Sequence, residues 1–246
     1  MSLSFRNLFS ALNLEQPEEE AAELAAHDAK KATGGNQSGK GFKTGEKKEQ
    51  DQNGLRKTRL KLPLVWLDLE MTGLEVEKDQ IIEVACIVTD GNLEKQIEGP
   101  DLVIHAPEAA LDCMNDWCKE HHGKSGLTER VRSSTVSIEE AEEKVLVFVQ
   151  EHTTPGAAQL AGNSIHADLA FLKRYMPKLA AHFSHVLVDV STLRSLARRW
   201  YPKDAERAPV KKQEHRALAD IRESIEELKY YRKNVFKRTK SDAAGT

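Results

Sequence analysis

The chain has 246 residues, a formal net charge of −3 at pH 7, 30% charged residues and three cysteines. This length allows one domain with a substantial core or two small ones, and the nearly balanced charge disfavours a protein that coats long DNA or RNA. Cys86, Cys113 and Cys118 form no C-x-x-C pair and cannot all be bridged, which indicates a reduced, intracellular setting, and no apolar run approaches the roughly 18 residues of a membrane span.

The first 62 residues differ in composition from the rest of the chain. Residues 18–31 are rich in Ala and Glu, and residues 33–54 are rich in Gly, Lys, Gln and Asn. Such segments lack the apolar content to join a core, so residues 1–62 are expected to form a disordered extension. Their acidic residues are atypical of an organelle transit peptide, which favours the cytoplasm, with the mitochondrion as the alternative.

From Pro63 the pattern predicts one mixed α/β domain that extends to residue 236, followed by a flexible basic tail over residues 237–246. The apolar run around Val65 to Leu69 predicts a first strand, and residues 80–89 predict a second. After the turn at Asp90-Gly91, residues 93–97 and 102–105 are expected to continue an antiparallel meander.

The pattern becomes helical after Pro107. Ser137-x-x-Glu140 is a capping box and predicts the start of a helix that Pro155-Gly156 ends. Two further strands are expected at residues 159–162 and 186–190, with helices over 165–175, from Thr192 to before Pro202, and over 217–236. A meander followed by alternating helices and strands predicts a mixed sheet flanked by helices.

Two carboxylates interrupt the first strand. Asp68 and Glu70 are two positions apart, so they point to the same side of the strand. On an apolar strand such a pair repels and loses solvation, and a hard divalent cation is the usual compensation. The alternative is an exposed face on which both carboxylates are simply solvated.

More candidate groups lie where later elements begin. Asp168 falls in the first turn of the helix over residues 165–175, where the helix dipole alone favours an acid. Asp220 lies beside the apolar stripe of the last helix, and His215 precedes it by five residues. Four carboxylates in one pocket would need about two divalent ions, and a His suits removal of a proton from an attacking water.

An ordered series of segments between Pro63 and Phe236 resembles the D-E-D-D-h family of 3′–5′ exonucleases, which has a ribonuclease-H-like fold. The segments are W-L-D-L-E-M-T-G-L, D-Q-I-I-E-V-A, M-N-D-W, S-G-L-T-E-R-V, G-N-S-I-x-x-D-x-x-F-L-x-x-Y-M-P, D-V-S-T-L and H-R-A-L-A-D-I-R-E-S-I-E-E-L-x-Y-Y-R. The resemblance implies metal-dependent removal of nucleoside 5′-monophosphates from the 3′ end of very short RNA oligonucleotides, down to dinucleotides. It also implies a homodimer.

The resemblance further implies residue roles. Two ions, Mg²⁺ or Mn²⁺, would be held by four acids, with His215 as the general base; the acids are Asp68, Glu70, Asp168 and Asp220. Five other residues are implied to lie near the substrate: Leu74 as a wedge against a base, Trp117 as a stacking platform, His122 and Ser164 near the nucleotide, and Ser191 near its far phosphate.

One position departs from the family pattern. Members usually carry Tyr-Arg shortly before D-V-S-T-L, in a cap over the 5′ phosphate that involves the partner subunit, whereas this chain has His185-Val186. This change leaves open a D-E-D-D-h exonuclease of broader range, acting on longer RNA or DNA ends. A catalytically silent nucleic-acid-binding protein that uses the basic segment 229–240 is the third alternative.

Overall fold

The structure is a computed structural model that describes residues 60–210 and 216–237. Residues 1–59 of the expected extension lie outside the described residues. The same holds for His215 and for residues 238–246 of the expected tail.

Five strands form one mixed sheet in the order β3-β2-β1-β4-β5. Their bounds are β1 Leu64–Met71, β2 Ile81–Thr89, β3 Gln96–Val103, β4 Gln159–Gly162 and β5 Leu187–Asp189. The pairs β1–β2 and β2–β3 are antiparallel, and β1–β4 and β4–β5 are parallel. The predicted mixed sheet with flanking helices is therefore confirmed.

Strand β3 differs from the prediction. Residues 93–97 and 102–105 were expected as two segments, but the structure has a single strand, Gln96–Val103, with Pro100 inside it. Because β3 lies at the edge of the sheet, a proline there need not cost a ladder hydrogen bond. Leu93 instead occupies the preceding turn with φ of 61°.

Nine helices occur in the described residues, and none of them is long and apolar enough to cross a membrane. Their bounds are α1 Glu108–Asp112, α2 Asp116–Lys124, α3 Leu127–Ser133, α4 Ile138–His152, α5 Ile165–Tyr175, α6 Pro177–Ala180, α7 Val190–Trp200, α8 Pro202–Ala205 and α9 Ala217–Asn234. The predicted cap of α4 is present, since Ser137 Oγ accepts a hydrogen bond from the Glu140 N–H at 3.2 Å. The strand expected over 186–190 is shorter, because helix α7 already begins at Val190.

The two faces of β1 pack against different helices. Val65, Leu67 and Leu69 belong to a buried cluster that includes residues of α4 and α5. Leu64 and Trp66 belong to a second cluster, with residues of α7 and α9. Side chains alternate along a strand, so positions 68 and 70 continue the face that is directed towards α9.

Candidate active site

The sheet opens beside the second half of β1. Strands β1 and β4 pair from Leu64–Gln159 to Trp66–Ala161, whereas β1 continues beyond this pairing to Met71. Beyond that pairing, the Leu69 N–H donates to Asp168 Oδ1 at 3.0 Å. The early end of β4 thus lets an acid in the first turn of α5 reach the main chain of β1.

Asp68, Glu70 and Asp220 form a compact carboxylate cluster. One ligand oxygen from each lies within 4.8 Å of the others, with Glu70 buried and the other two half-buried. Asp220 comes from the first turn of α9, where its Oδ2 accepts the Arg216 N–H at 3.2 Å. The structure therefore brings together three of the four predicted acids in this cluster, and places the fourth, Asp168, against the adjacent backbone of Leu69.

Two of these acids have strongly raised pKa values. Burial raises the pKa of Glu70 well above its ordinary value, and the charges of Asp220, Glu83 and Asp168 raise it further. Burial likewise raises the pKa of Asp168 to about 7. Hard divalent cations prefer carboxylate oxygens as ligands, and a bound cation offsets the repulsion between clustered carboxylates. The residues present therefore fit such an ion.

The raised pKa values predict how stability depends on pH when no metal is bound. In the unfolded chain these carboxyls titrate near their ordinary value of about 4. Between about pH 4 and 7 the folded protein therefore binds more protons than the unfolded chain, and its stability should fall as the pH rises through 7.

A divalent cation binds the deprotonated carboxylates and should counteract this loss. We expect Mn²⁺ to raise the melting temperature more at pH 8 than at pH 6, relative to the protein in EDTA. Thermal melts across this pH range, with and without Mn²⁺, measure the difference. Equal shifts at both pH values would contradict the raised pKa values of Asp168 and Glu70.

His122 lies against the cluster from helix α2. Its Nε2 is 3.0 Å from the Met71 carbonyl oxygen, and its Nδ1 is 3.9 Å from Glu70 Oε2. Desolvation lowers the pKa of His122, so the ring is neutral at pH 7 and donates from Nε2 to the carbonyl. Trp117, just over one turn earlier, is half-buried and stacks on His121 with ring centroids 3.9 Å apart.

Leu74 lies in a tightly bonded loop between β1 and β2. Asp79 accepts hydrogen bonds from Thr72 Oγ1 at 3.0 Å and from the Glu75 N–H at 2.8 Å. A Cβ at Gly73 would lie 2.3 Å from the Asp79 carboxylate, so only glycine allows this close approach. The loop thus holds the half-buried Leu74 directly after the strand that carries Asp68 and Glu70.

The two predicted serines lie together at the beginnings of α5 and α7. Ser164 Oγ is 3.2 Å from Ser191 Oγ. His185 and Val186, which depart from the family pattern, are both exposed on the segment before β5. The structure therefore presents these two side chains to solvent.

Glu83 is a residue whose role sequence reasoning missed. It is fully buried on β2, directly opposite Glu70 in the strand register. Its Oε1 accepts hydrogen bonds from Arg130 at 2.5 Å and Arg216 at 3.1 Å, and its Oε2 lies 3.4 Å from the Ala217 nitrogen. One carboxylate therefore attaches the start of α9 to the sheet, and the signal for it was a single charged residue inside the apolar run I-I-E-V-A-C-I-V.

Known proteins resemble this chain in both sequence and fold. The exonuclease family model RNase_T matches residues 65–228. An oligoribonuclease from Arabidopsis thaliana is 54% identical over 79% of this chain and 87% of the relative, and a mitochondrial oligoribonuclease from Mus musculus is 57% identical over 71% and 74%. The solved exonuclease I from Methylocaldum szegediense has a TM-score of 0.54 at 18% identity, over 70% of this chain and 41% of that chain, which shows the shared fold.

The two sequence relatives are matched over most of their own length, and the family model spans both the sheet and the carboxylate cluster. The exonuclease interpretation is therefore favoured over a silent binding protein. The chain belongs to the oligoribonuclease group of the DEDDh exonuclease family and is a nuclease.

Proposed function

We propose that this chain removes nucleoside 5′-monophosphates from the 3′ end of very short RNA, down to dinucleotides. The cluster of Asp68, Glu70 and Asp220 within 4.8 Å, beside the opening of the sheet, carries this proposal. The names and identity of the relatives support short RNA as the substrate.

In this proposal the chain's acids hold two divalent cations, Mg²⁺ or Mn²⁺. Asp68, Glu70 and Asp220 would supply the clustered oxygens, and Asp168 the fourth carboxylate from α5. When bound, the cations stabilise charge on the attacking and leaving oxygens of the phosphodiester. The acids must be deprotonated to bind them, in keeping with the pH dependence expected above.

The proton of the attacking water would pass to His215, which directly precedes Arg216 at the start of α9. Leu74 and Trp117 would contact the bases, where stacking is typically worth about 1–3 kcal/mol per base. His122 and Ser164 would lie near the nucleotide, and Ser191, whose Oγ is 3.2 Å from that of Ser164, would face its far phosphate.

A length-preference assay tests this function. Equal amounts of a labelled dinucleotide and a labelled 20-mer are incubated with the protein and Mg²⁺ or Mn²⁺. We expect the dinucleotide to be consumed first and the 20-mer to persist. Faster loss of the 20-mer would instead establish the broader-range exonuclease.

The exposed His185-Val186 pair predicts a weakened preference for the shortest substrates. An arginine at the second position would offer paired, charge-assisted hydrogen bonds to a terminal phosphate, and valine offers none. Such bonds are worth roughly 1.5–3 kcal/mol each, so restoring the pair with His185→Tyr and Val186→Arg should raise the preference for 5′-phosphorylated dimers over pentamers by about tenfold.

The ratio of kcat/KM for dimers and pentamers measures this effect. Val147→Arg is a matched control, because Val147 on α4 is 51% exposed and Val186 is 43% exposed. The control should leave the ratio unchanged. An unchanged ratio in the double variant would mean that other residues form the phosphate cap.

We also propose that the compartment is the mitochondrion rather than the cytoplasm, because the relative from Mus musculus is named a mitochondrial oligoribonuclease.

We further propose that the protein forms a homodimer. The exposed aromatic side chains of Trp200 and Tyr201, at the end of α7, offer apolar surface for a second copy. Light scattering of the purified protein measures the oligomeric state.

A further inference from the structure

One carboxylate oxygen holds the backbone of both serines. Asp189 Oδ1 accepts the Ser164 N–H at 3.0 Å and the Ser191 N–H at 2.9 Å. The Ser164 N–H also lies 3.1 Å from Ser191 Oγ. Asp189 therefore links the beginnings of α5 and α7 to each other.

Asn163 connects the same serines to helix α9. Its Oδ1 accepts from Ser191 Oγ at 3.1 Å, and its Nδ2 donates to Ser224 Oγ at 2.6 Å. Ser224 Oγ in turn donates its single proton to the Asp220 carbonyl at 2.7 Å. That hydroxyl then accepts from the Asn163 amide, so the serine pair is coupled to the helical turn that carries Asp220.

An ion pair supports one end of this hydrogen-bond network, and the other end is a serine in an unfavourable backbone conformation. Arg194 donates to Asn163 Oδ1 at 3.3 Å and is held by the buried Glu227 through two hydrogen bonds of 2.5 and 2.6 Å. At the other end, Ser164 has φ of 52° and ψ of 30°, a left-handed conformation that a serine keeps only when its surroundings impose it. In that conformation the Ser164 N–H is held by both Asp189 Oδ1 and Ser191 Oγ.

We propose that Asp189 and Asn163 are positioning residues that hold Ser164 and Ser191 at a fixed place relative to the carboxylate cluster, and so set how strongly the enzyme recognises a 5′-terminal phosphate. This inference rests on the proposed function, which places the terminal phosphate at Ser191, with the Ser164 hydroxyl 3.2 Å from it. Without the Asp189 carboxylate, the Ser164 backbone can relax to a right-handed conformation, and the two hydroxyls separate.

The test compares dinucleotides with a 5′ phosphate and with a 5′ hydroxyl, at saturating Mn²⁺, in the full-length protein. In Asp189→Ala we expect KM for the phosphorylated dinucleotide to rise about tenfold and KM for the hydroxyl form to change by less than about twofold. In Asp189→Asn the amide oxygen still accepts both N–H groups, so the wild-type ratio should return. Asn163→Ala should shift the ratio in the same direction as Asp189→Ala.

Ser137→Ala is the matched control, because it removes the side-chain cap of α4 and touches none of these residues. It should lower the melting temperature without changing the ratio of the two KM values. A ratio that stays at the wild-type value in both Asp189→Ala and Asn163→Ala overturns the inference, and so does an equal change in Ser137→Ala. Wild-type protein that cleaves neither dinucleotide overturns the proposed function itself, whereas wild-type protein that cleaves both equally well overturns only the positioning role.

Discussion

Replacing Asp68 or Asp220 by alanine is expected to abolish turnover while the protein stays folded. Each change removes one of three oxygens that lie within 4.8 Å, and neither side chain belongs to the apolar core. Stabilisation of a phosphoryl transition state by a metal is typically worth several kcal/mol, and about 4 kcal/mol corresponds to roughly a thousandfold in rate.

The melting temperature separates loss of metal from loss of fold. Burial does most to raise the pKa of Glu70, and the charge of Asp220 raises it further. Asp220→Ala removes that repulsion but also the acceptor of the Arg216 N–H, so in EDTA this variant should melt close to the wild-type temperature. Its stabilisation by Mn²⁺ should disappear together with dinucleotide cleavage. Asp112→Ala, which removes an exposed acid on α1, is the control and should change neither quantity.

Near-wild-type cleavage by Asp68→Ala in saturating Mn²⁺ would contradict this assignment. A fall in the metal-free melting temperature as large as that of a core substitution would contradict it in another way, because the carboxylate would then be structural. Both measurements are made on the same preparations, so the two outcomes are distinguishable.

The pairing of Asp68 with Glu70 was accessible from sequence because alternation along a strand is a local rule. The contact between Asp168 and the Leu69 N–H was not, since it depends on β4 ending well before β1 does. The contacts of Asp189 could not be predicted from the sequence for a similar reason, because its partner Ser164 is 25 positions away along the chain. Local periodicity defines the elements, but register between distant strands defines the site.

The extent of β3 and the partners of Glu83 on β2 were not predicted from the sequence. Residues 93–97 and 102–105 were predicted as separate segments, whereas the structure has one edge strand that contains Pro100. Glu83 stood out as the one ionisable carboxylate in a strand whose nine residues are all buried, yet its partners lie 47 and 133 positions away. A buried acid of this kind predicts a partner without identifying it.

Glu83→Ala is expected to be the most destabilising single change around the site. It would leave Arg130 and Arg216 without their shared carboxylate, and would remove the acceptor near the Ala217 N–H. Breaking a buried ion pair costs roughly 3–5 kcal/mol, and the lower end applies here because the two arginines keep 38% and 32% of their side-chain surface exposed.

Glu98→Ala is the matched control for this loss. Glu98 on β3 also pairs with an arginine, Arg222, at 2.8 Å, but both side chains are more than half exposed. Exposed pairs are typically worth about 0–1 kcal/mol, so the control should shift the melting temperature by only a few degrees at most.

Glu83→Ala should also weaken metal binding at the carboxylate cluster, at temperatures where the protein remains folded. Glu83 holds Arg216 and the first residue of α9, and Asp220 is in the first turn of that helix. We therefore expect Glu83→Ala to require more Mn²⁺ for half-maximal activity, while Glu98→Ala keeps the wild-type requirement. Glu83→Gln retains the shape but not the charge, so an intermediate melting temperature is expected for it. If Glu83→Ala melted like Glu98→Ala and kept the wild-type Mn²⁺ requirement, the carboxylate would not be the anchor that attaches α9 to the sheet.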